Sequence, residues 1–189
     1  SSISNVYPEV SIAVEHPKAP TLPCIYDASN VTGPTLVIGI MGRLWKIKGA
    51  DVLVRLAEQI SVARLPIRLV IFGAIEARIS PRLKDVLSVM GTYDEHTIAR
   101  QVESERVAFF LFPSIVPETY SLVCDEIIQM GFPIMMFDLG AQRERIREGR
   151  YGWLVGLDPS GPALFEHIAA LYHDRREILG KAAAIRQAL

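Results

Sequence analysis

From residue 35 onward the chain repeats one unit: a short apolar run stopped by glycine or proline, then an amphipathic or polar stretch. Thr35-Leu-Val-Ile-Gly-Ile-Met41 ends at Gly42, Ile67-Arg-Leu-Val-Ile-Phe72 at Gly73, Leu87-Ser-Val-Met90 at Gly91, and Val107-Ala-Phe-Phe-Leu-Phe112 at Pro113. Pro133-Ile-Met-Met-Phe137 and Gly152-Trp-Leu-Val155 complete the series. Short runs that are apolar throughout and rich in β-branched and aromatic residues are expected as strands buried on both faces. Between the first two, apolar residues at 50, 53, 54, 57 and 60 form a helical stripe over 50–62. Asp94 is placed to cap a helix reaching about residue 103. Residues 119–130 read as a helix closed by Gly131, 141–148 as a short helix closed by Gly149, and 162–173 and 175–188 as terminal helices. Strands alternating with helices imply a parallel sheet covered on both sides. The expected fold is α/β, a doubly wound, Rossmann-like parallel sheet forming a single domain over residues 35–189. Ligands of such sheets bind beyond the carboxyl ends of the strands, so the loops after Met41, Phe72, Met90, Phe112 and Phe137 are the ones to inspect.

Residues 1–34 differ in character. Five of the twelve prolines lie there, and no helical or alternating period is sustained. This segment is expected to be a linker or an N-terminal arm. The length of 189 residues suits one sizeable domain, or at most two very small ones, with a core large enough to need no disulfide or metal staple. Twenty basic against 21 acidic residues give a net charge of −1, which excludes the basic excess of a nucleic-acid binder. Half the residues are apolar, which excludes disorder. Cys24 and Cys124 match no zinc or redox spacing and read as ordinary thiols of a reducing, cytoplasmic compartment. No run approaches the roughly 20 apolar residues of a membrane span.

The common nucleotide and hydrolase fingerprints are absent. Gly39-Ile-Met-Gly42 is not a dinucleotide-binding motif, and neither a phosphate-loop motif nor a Gly-x-Ser-x-Gly elbow occurs. Two loops are chemically distinctive instead. Gly42-Arg-Leu-Trp-Lys-Ile-Lys-Gly49 carries Arg43, Lys46 and Lys48 with no acid among them. A guanidinium grips two phosphate oxygens at once, an ammonium adds a compact charge, and the helix opened at Gly49 offers amides to an anion. The second loop, Pro113-Ser-Ile-Val-Pro-Glu-Thr-Tyr-Ser-Leu122, is expected to run into a helix at Thr119 with Glu118 at its start. Glu126 follows two helical turns later, and carboxylates suit paired sugar hydroxyls. The four histidines do not converge and imply no metal. Arg143, Arg145, Arg147 and Arg150 alternate with Glu144 and Glu148 and read as a solvated face. Trp45 suits either the core or a cleft edge, and Trp153 the core.

Gly42-Arg-Leu-x-x-x-Lys-Gly49, Pro113-Ser, the Glu118-to-Glu126 spacing, Gly131-x-Pro133 and Asp138-x-Gly140-x-x-x-Glu144 occur in one order. That order resembles the C-terminal, donor-binding domain of family 4 retaining glycosyltransferases, which have two Rossmann-like domains in the GT-B architecture. The likeness covers about residues 35–157 and is greatest to bacterial polysaccharide-assembly enzymes. It implies that Arg43 and Lys48 neutralise the diphosphate of a nucleotide-diphosphate sugar, while Glu118 contacts the donor sugar. Glu126 would hold the ribose, and Thr119, Tyr120, Ser121 and Leu122 would present amides to sugar and phosphates. Gly42 and Ser114 would line the donor site, with Thr92 and Tyr93 near the base. No metal or other cofactor is implied. The acceptor, a glycan or lipid-linked molecule, would bind a separate N-terminal domain, so this chain alone should bind nucleotide but transfer little or no sugar. The resemblance leaves room for peripheral membrane association of the full-length protein. Three positions depart from the family pattern: Ser121 and Ala141 replace glycines, and Gly73-Ala-Ile-Glu76 lacks a second one. Two other readings stay open, a non-catalytic sugar-nucleotide-binding or scaffolding module and a sugar-nucleotide epimerase.

Overall fold

The computed structural model describes residues 19–118, 120–140 and 142–189. Six strands, β1 (Leu36–Leu44), β2 (Ile67–Ile75), β3 (Leu87–Gly91), β4 (Phe109–Phe112), β5 (Ile134–Phe137) and β6 (Gly152–Val155), form one sheet. Their order is β3-β2-β1-β4-β5-β6, and every pairing is parallel. The helices are α1 (Ser29–Thr32), α2 (Ala50–Ala63), α3 (Ile98–Ser104), α4 (Leu122–Gln129), α5 (Gln142–Arg145), α6 (Pro162–His173) and α7 (Arg176–Arg186). The expected doubly wound, Rossmann-like sheet is the one observed. Its order reverses between β1 and β4, which opens a crevice at their carboxyl ends.

Successive residues of β1 point to opposite faces. Leu36, Ile38 and Ile40 pack with Leu53 and Leu56 of α2 and Ile168 of α6. Val37 and Met41 pack with Val102 of α3 and Ile127 of α4 on the other side. Both faces are therefore apolar, which is why the strand runs show no polar alternation. Helix α7 joins the two layers, with Ile178 in the first and Ile185 in the second. Gly39 serves the packing between neighbouring strands: a Cβ there would stand 2.5 Å from the Phe110 ring.

Two strands run further than their apolar segments. Gly42 and Gly73 do not end β1 and β2; the pairing continues through Arg43 with Ala74 and Leu44 with Ile75. Gly73, at φ 143°, lets the two backbones close up, because a Cβ there would meet the Gly42 carbonyl oxygen at 1.9 Å. Helix α3 begins at Ile98, four residues after Asp94. The Asp94 carboxylate accepts from the amides of His96 and Thr97, both at 2.9 Å, and folds a turn ahead of the helix. Helix α5 covers only Gln142–Arg145, since Arg147 and Glu148 take left-handed backbone angles.

Of residues 1–34, the first 18 lie outside the described residues. Residues 22–34 lie against the domain. The amides of Ile25 and Tyr26 both donate to the Met130 carbonyl at 3.1 Å, and Leu22 N donates to Gln129 Oε1 at 3.0 Å. Buried Asn30 donates to the Val107 carbonyl at 3.2 Å, and Arg175 donates to the carbonyls of Val31 and Gly33 at the end of α1.

Candidate functional site

The crevice at the carboxyl ends of β1 and β4 is an open cleft of about 190 Å³, lined by Gly42, Arg43, Lys48, Ser114, Glu118 and Ser121 among others. Half of the expected site residues thus share one cavity at the switch point of the sheet. They come from two loops, and the contact between those loops is tight. Residues Lys46–Lys48 form a 3-10 turn that ends at Gly49 with φ 84°. A Cβ on Gly49 would stand 2.0 Å from the Pro113 carbonyl oxygen. Ile115 N donates to the Ile47 carbonyl at 3.2 Å across the same contact. This clamp brings the Lys48 ammonium into an ion pair with Glu118.

The structure corrects several local expectations. Arg43 is on β1, not in a loop. Its Nε and Nη2 donate to Glu76 Oε1 at 3.0 and 2.7 Å. Glu76, noticed in the sequence only as the end of a turn short of a glycine, is therefore the direct partner of an expected phosphate-binding residue. Two amides at the start of α2 are already engaged: Gly49 N donates to the Lys46 carbonyl and Ala50 N to that of Trp45. Trp45 is outside the core, 42% exposed, with the Arg43 guanidinium 5.9 Å from its ring centre.

Glu118 is not at a helix start. Helix α4 begins at Leu122, capped by Ser121 in an extended conformation. The physical reason lies in Tyr120, whose hydroxyl donates to Asp125 Oδ2 at 2.7 Å. Residues five apart lie about 140° apart around a helix, so this bond goes with an extended entry rather than with a continued helix. Thr119, expected to open the helix, lies outside the described residues, as does Ala141. Tyr120 and Ser121 precede the helix, and the amides of Cys124 and Asp125 turn back onto the Ser121 carbonyl at 3.2 and 3.5 Å. Ser114 is buried, and its hydroxyl donates to the Val116 carbonyl at 3.1 Å, so it shapes the loop. Glu126 lies one helical turn inside α4 and accepts from the Tyr93 hydroxyl at 3.5 Å. Burial pushes the Glu126 carboxyl above the usual carboxylate range, and burial likewise raises the Tyr93 phenol. Thr92, Tyr93, Tyr120, Leu122 and Glu126 lie outside the Lys48–Glu118 cleft.

One cluster was missed in the sequence. Arg145, read as part of a solvated basic face, is 24% exposed and pairs with Asp125 at 3.3 Å. Its guanidinium lies 3.5 Å from the Tyr120 ring centre. Beside it, Gln142 donates to the Val116 carbonyl at 3.2 Å. The signal was the residue type, since a guanidinium both stacks and pairs, but its partners lie 20 and 25 positions away. Trp153 is in the core as expected, and its indole N–H donates to Glu177 at 2.9 Å. Among the described residues no three His, Cys, Asp or Glu side chains gather as a metal-holding group, and no helix is long and apolar enough to cross a membrane.

A family model for glycosyl transferases group 1 matches residues 35–174, most of the chain. The chain belongs to this family. The glycosyl transferase domain superposes on sucrose-phosphate synthase from Thermosynechococcus elongatus with a TM-score of 0.64 and 20% identity, over 87% of this chain and 44% of that one. It superposes equally, at 17% identity, on the C-terminal domain of the group 1 family protein LpcC from Francisella tularensis, over 87% of this chain and 91% of that one. A third match, with a TM-score of 0.64 and 17% identity, is HepE of Anabaena in complex with UDP and glucose, over 87% and 48% of the two chains. The fold is that of the C-terminal domain of GT-B glycosyl transferases. The chain spans less than half the length of the synthase and of HepE. No curated protein matches it in sequence.

Proposed function

We propose that this chain is the donor-binding domain of a retaining, family 4-type glycosyltransferase that takes its sugar from a nucleotide-diphosphate sugar. The observation that carries this reading is the Lys48–Glu118 pair at the switch-point cleft of a group 1 glycosyl transferase domain. It puts a cation for the diphosphate beside a carboxylate for sugar hydroxyls. HepE, a protein of the same fold, was solved with UDP and glucose. In the proposed reaction the bond from the anomeric carbon to the diphosphate oxygen breaks and its electron pair stays on the diphosphate. Lys48 and Arg43 stabilise that growing charge without a metal. An acceptor hydroxyl, of a glycan or lipid-linked molecule, forms the new bond on the same face and passes its proton to the departing diphosphate oxygen. Glu118 orients the sugar, Glu126 the ribose and Tyr93 the edge of the base site.

Residues 1–34 would join this domain to a second, acceptor-binding one, in a cytoplasmic protein of bacterial polysaccharide assembly. Buried Ser121, where the family has glycine, supports a second reading, a module that binds sugar nucleotide without catalysis. A thermal-shift panel of nucleoside diphosphates tests the donor site. At 100 times the dissociation constant, binding stabilises by about 2.7 kcal/mol, or roughly 5–10 °C for a chain of this size. A folded sample that responds to no nucleotide refutes the donor site. In the two-domain protein, Glu118→Ala abolishes transfer if the domain is catalytic and leaves it unchanged if it is a scaffold.

A further inference from the structure

Each of the two cations lining the cleft is held by a carboxylate of this chain, and the two pairs differ in burial. The side chains of Arg43 and Glu76 are 69% and 48% exposed. Those of Lys48 and Glu118 are 30% and 12% exposed. An exposed pair is screened by water and salt, so Arg43 leaves Glu76 at little cost. Removing Lys48 from Glu118 strands a mostly buried carboxylate, and an uncompensated buried charge is costly. Among the described residues, Lys48 is the hydrogen-bond partner of Glu118. Lys48 and Glu118 also line the same cavity, so one ligand reaches both.

We infer that Glu118 makes the site discriminate between a nucleotide-diphosphate sugar and the bare nucleoside diphosphate, through exchange of counter-ions. This rests on the donor-site reading above and deepens it. A diphosphate that engages Lys48 draws the ammonium from Glu118 and sets negative charge beside the carboxylate. A sugar on that diphosphate brings hydroxyls, which donate to the carboxylate and replace the lost bond. The bare diphosphate brings no such donor. The empty cleft is therefore self-neutralised, the intact donor satisfies both residues, and the spent nucleotide satisfies only Lys48. The same pair that receives the donor then favours release of the product.

The test is isothermal titration of the chain with UDP, ADP, GDP and dTDP and with the glucose and N-acetylglucosamine conjugates of each. Glu118→Gln keeps the shape and removes the charge; Glu118→Ala removes the hydroxyl acceptor as well. Both variants are expected to bind the bare diphosphate roughly 5- to 30-fold more tightly, the equivalent of one charged group no longer left without its partner. Both are expected to lose the preference for the sugar conjugate. Glu76→Gln is expected to change both affinities by one common factor. Glu118 variants that bind the bare diphosphate no tighter than the parent overturn the inference. A Glu76→Gln variant that shifts the ratio as far as Glu118→Gln also overturns it, since any lost carboxylate would then suffice. If the parent chain binds none of the nucleotides, the donor-site reading fails and the inference with it.

Discussion

Gly49 and Pro113 meet backbone to backbone: a Cβ on Gly49 would stand 2.0 Å from the Pro113 carbonyl oxygen, and Gly49 holds φ at 84°. The contact joins the turn that carries Lys48 to the loop that carries Glu118. Gly49→Ala therefore meets both a disfavoured backbone angle and a backbone clash. It is expected to cost more than about 2 kcal/mol in urea unfolding and to separate the Lys48–Glu118 pair. A variant within about 0.5 kcal/mol of the parent would show that the loops close without this contact.

The interlock of Gly39 with Phe110 gives a double-variant prediction. Gly39→Ala puts a methyl group 2.5 Å from the ring, and overpacking of this kind costs about 1–3 kcal/mol. Phe110→Leu alone opens space and also destabilises. Combined, the two are expected to cost less than the sum, because the smaller side chain admits the methyl. Additive costs in equilibrium unfolding would refute direct interlock.

Arg145 braces the loop before α4 from outside the cleft. Arg145→Met removes the stack on Tyr120 and the pair with Asp125, for an expected loss of about 1–2 kcal/mol. Nucleoside diphosphate binding is expected to weaken too, although Arg145 does not line the cleft. Arg145→Lys restores the charge but not the flat stack, so it should recover less than half of the affinity. Full recovery by lysine would mean that charge alone matters.

Cys124 gives a pH dependence. Burial pushes its thiol up to about 12. A raised pKa contributes stability that is fully present below the unfolded value and is lost as pH rises through the folded one. Alkaline unfolding between pH 9 and 12 is therefore expected to be shallower in Cys124→Ala than in the parent. At pH 8, a disulfide reagent should titrate exposed Cys24 at once and Cys124 only on unfolding. Two fast thiols would contradict the burial.

Much of the architecture is legible along the chain because burial on both sheet faces leaves a local mark. Ile67 to Phe72 is apolar at five of six positions, and all six lie within β2. The stripe at 50, 53, 57 and 60 faces the core from α2. Two of the misjudged boundaries lie where strand pairing or a side-chain bond, rather than local propensity, controls the backbone. Arg43 and Leu44 look like loop residues because they are not buried as a run, yet pairing with Ala74 and Ile75 keeps them in the sheet. The entry to α4 looks helical because Glu, Thr and Ser favour a first turn, yet the Tyr120–Asp125 bond holds it extended.

Residue type and spacing were enough to specify a parallel sheet, the loops at its carboxyl edge, and Arg43, Lys48 and Glu118 as chemically notable. They did not specify partners. Lys48 with Glu118, Arg43 with Glu76 and Arg145 with Asp125 are separated by 70, 33 and 20 positions, so each depends on how loops close over the folded sheet. Periodicity reports which face of an element meets the core, because neighbours in sequence share that element. Charge pairing reports which loops meet each other, and that distance is set by strand order and by single close approaches such as Gly49 to Pro113.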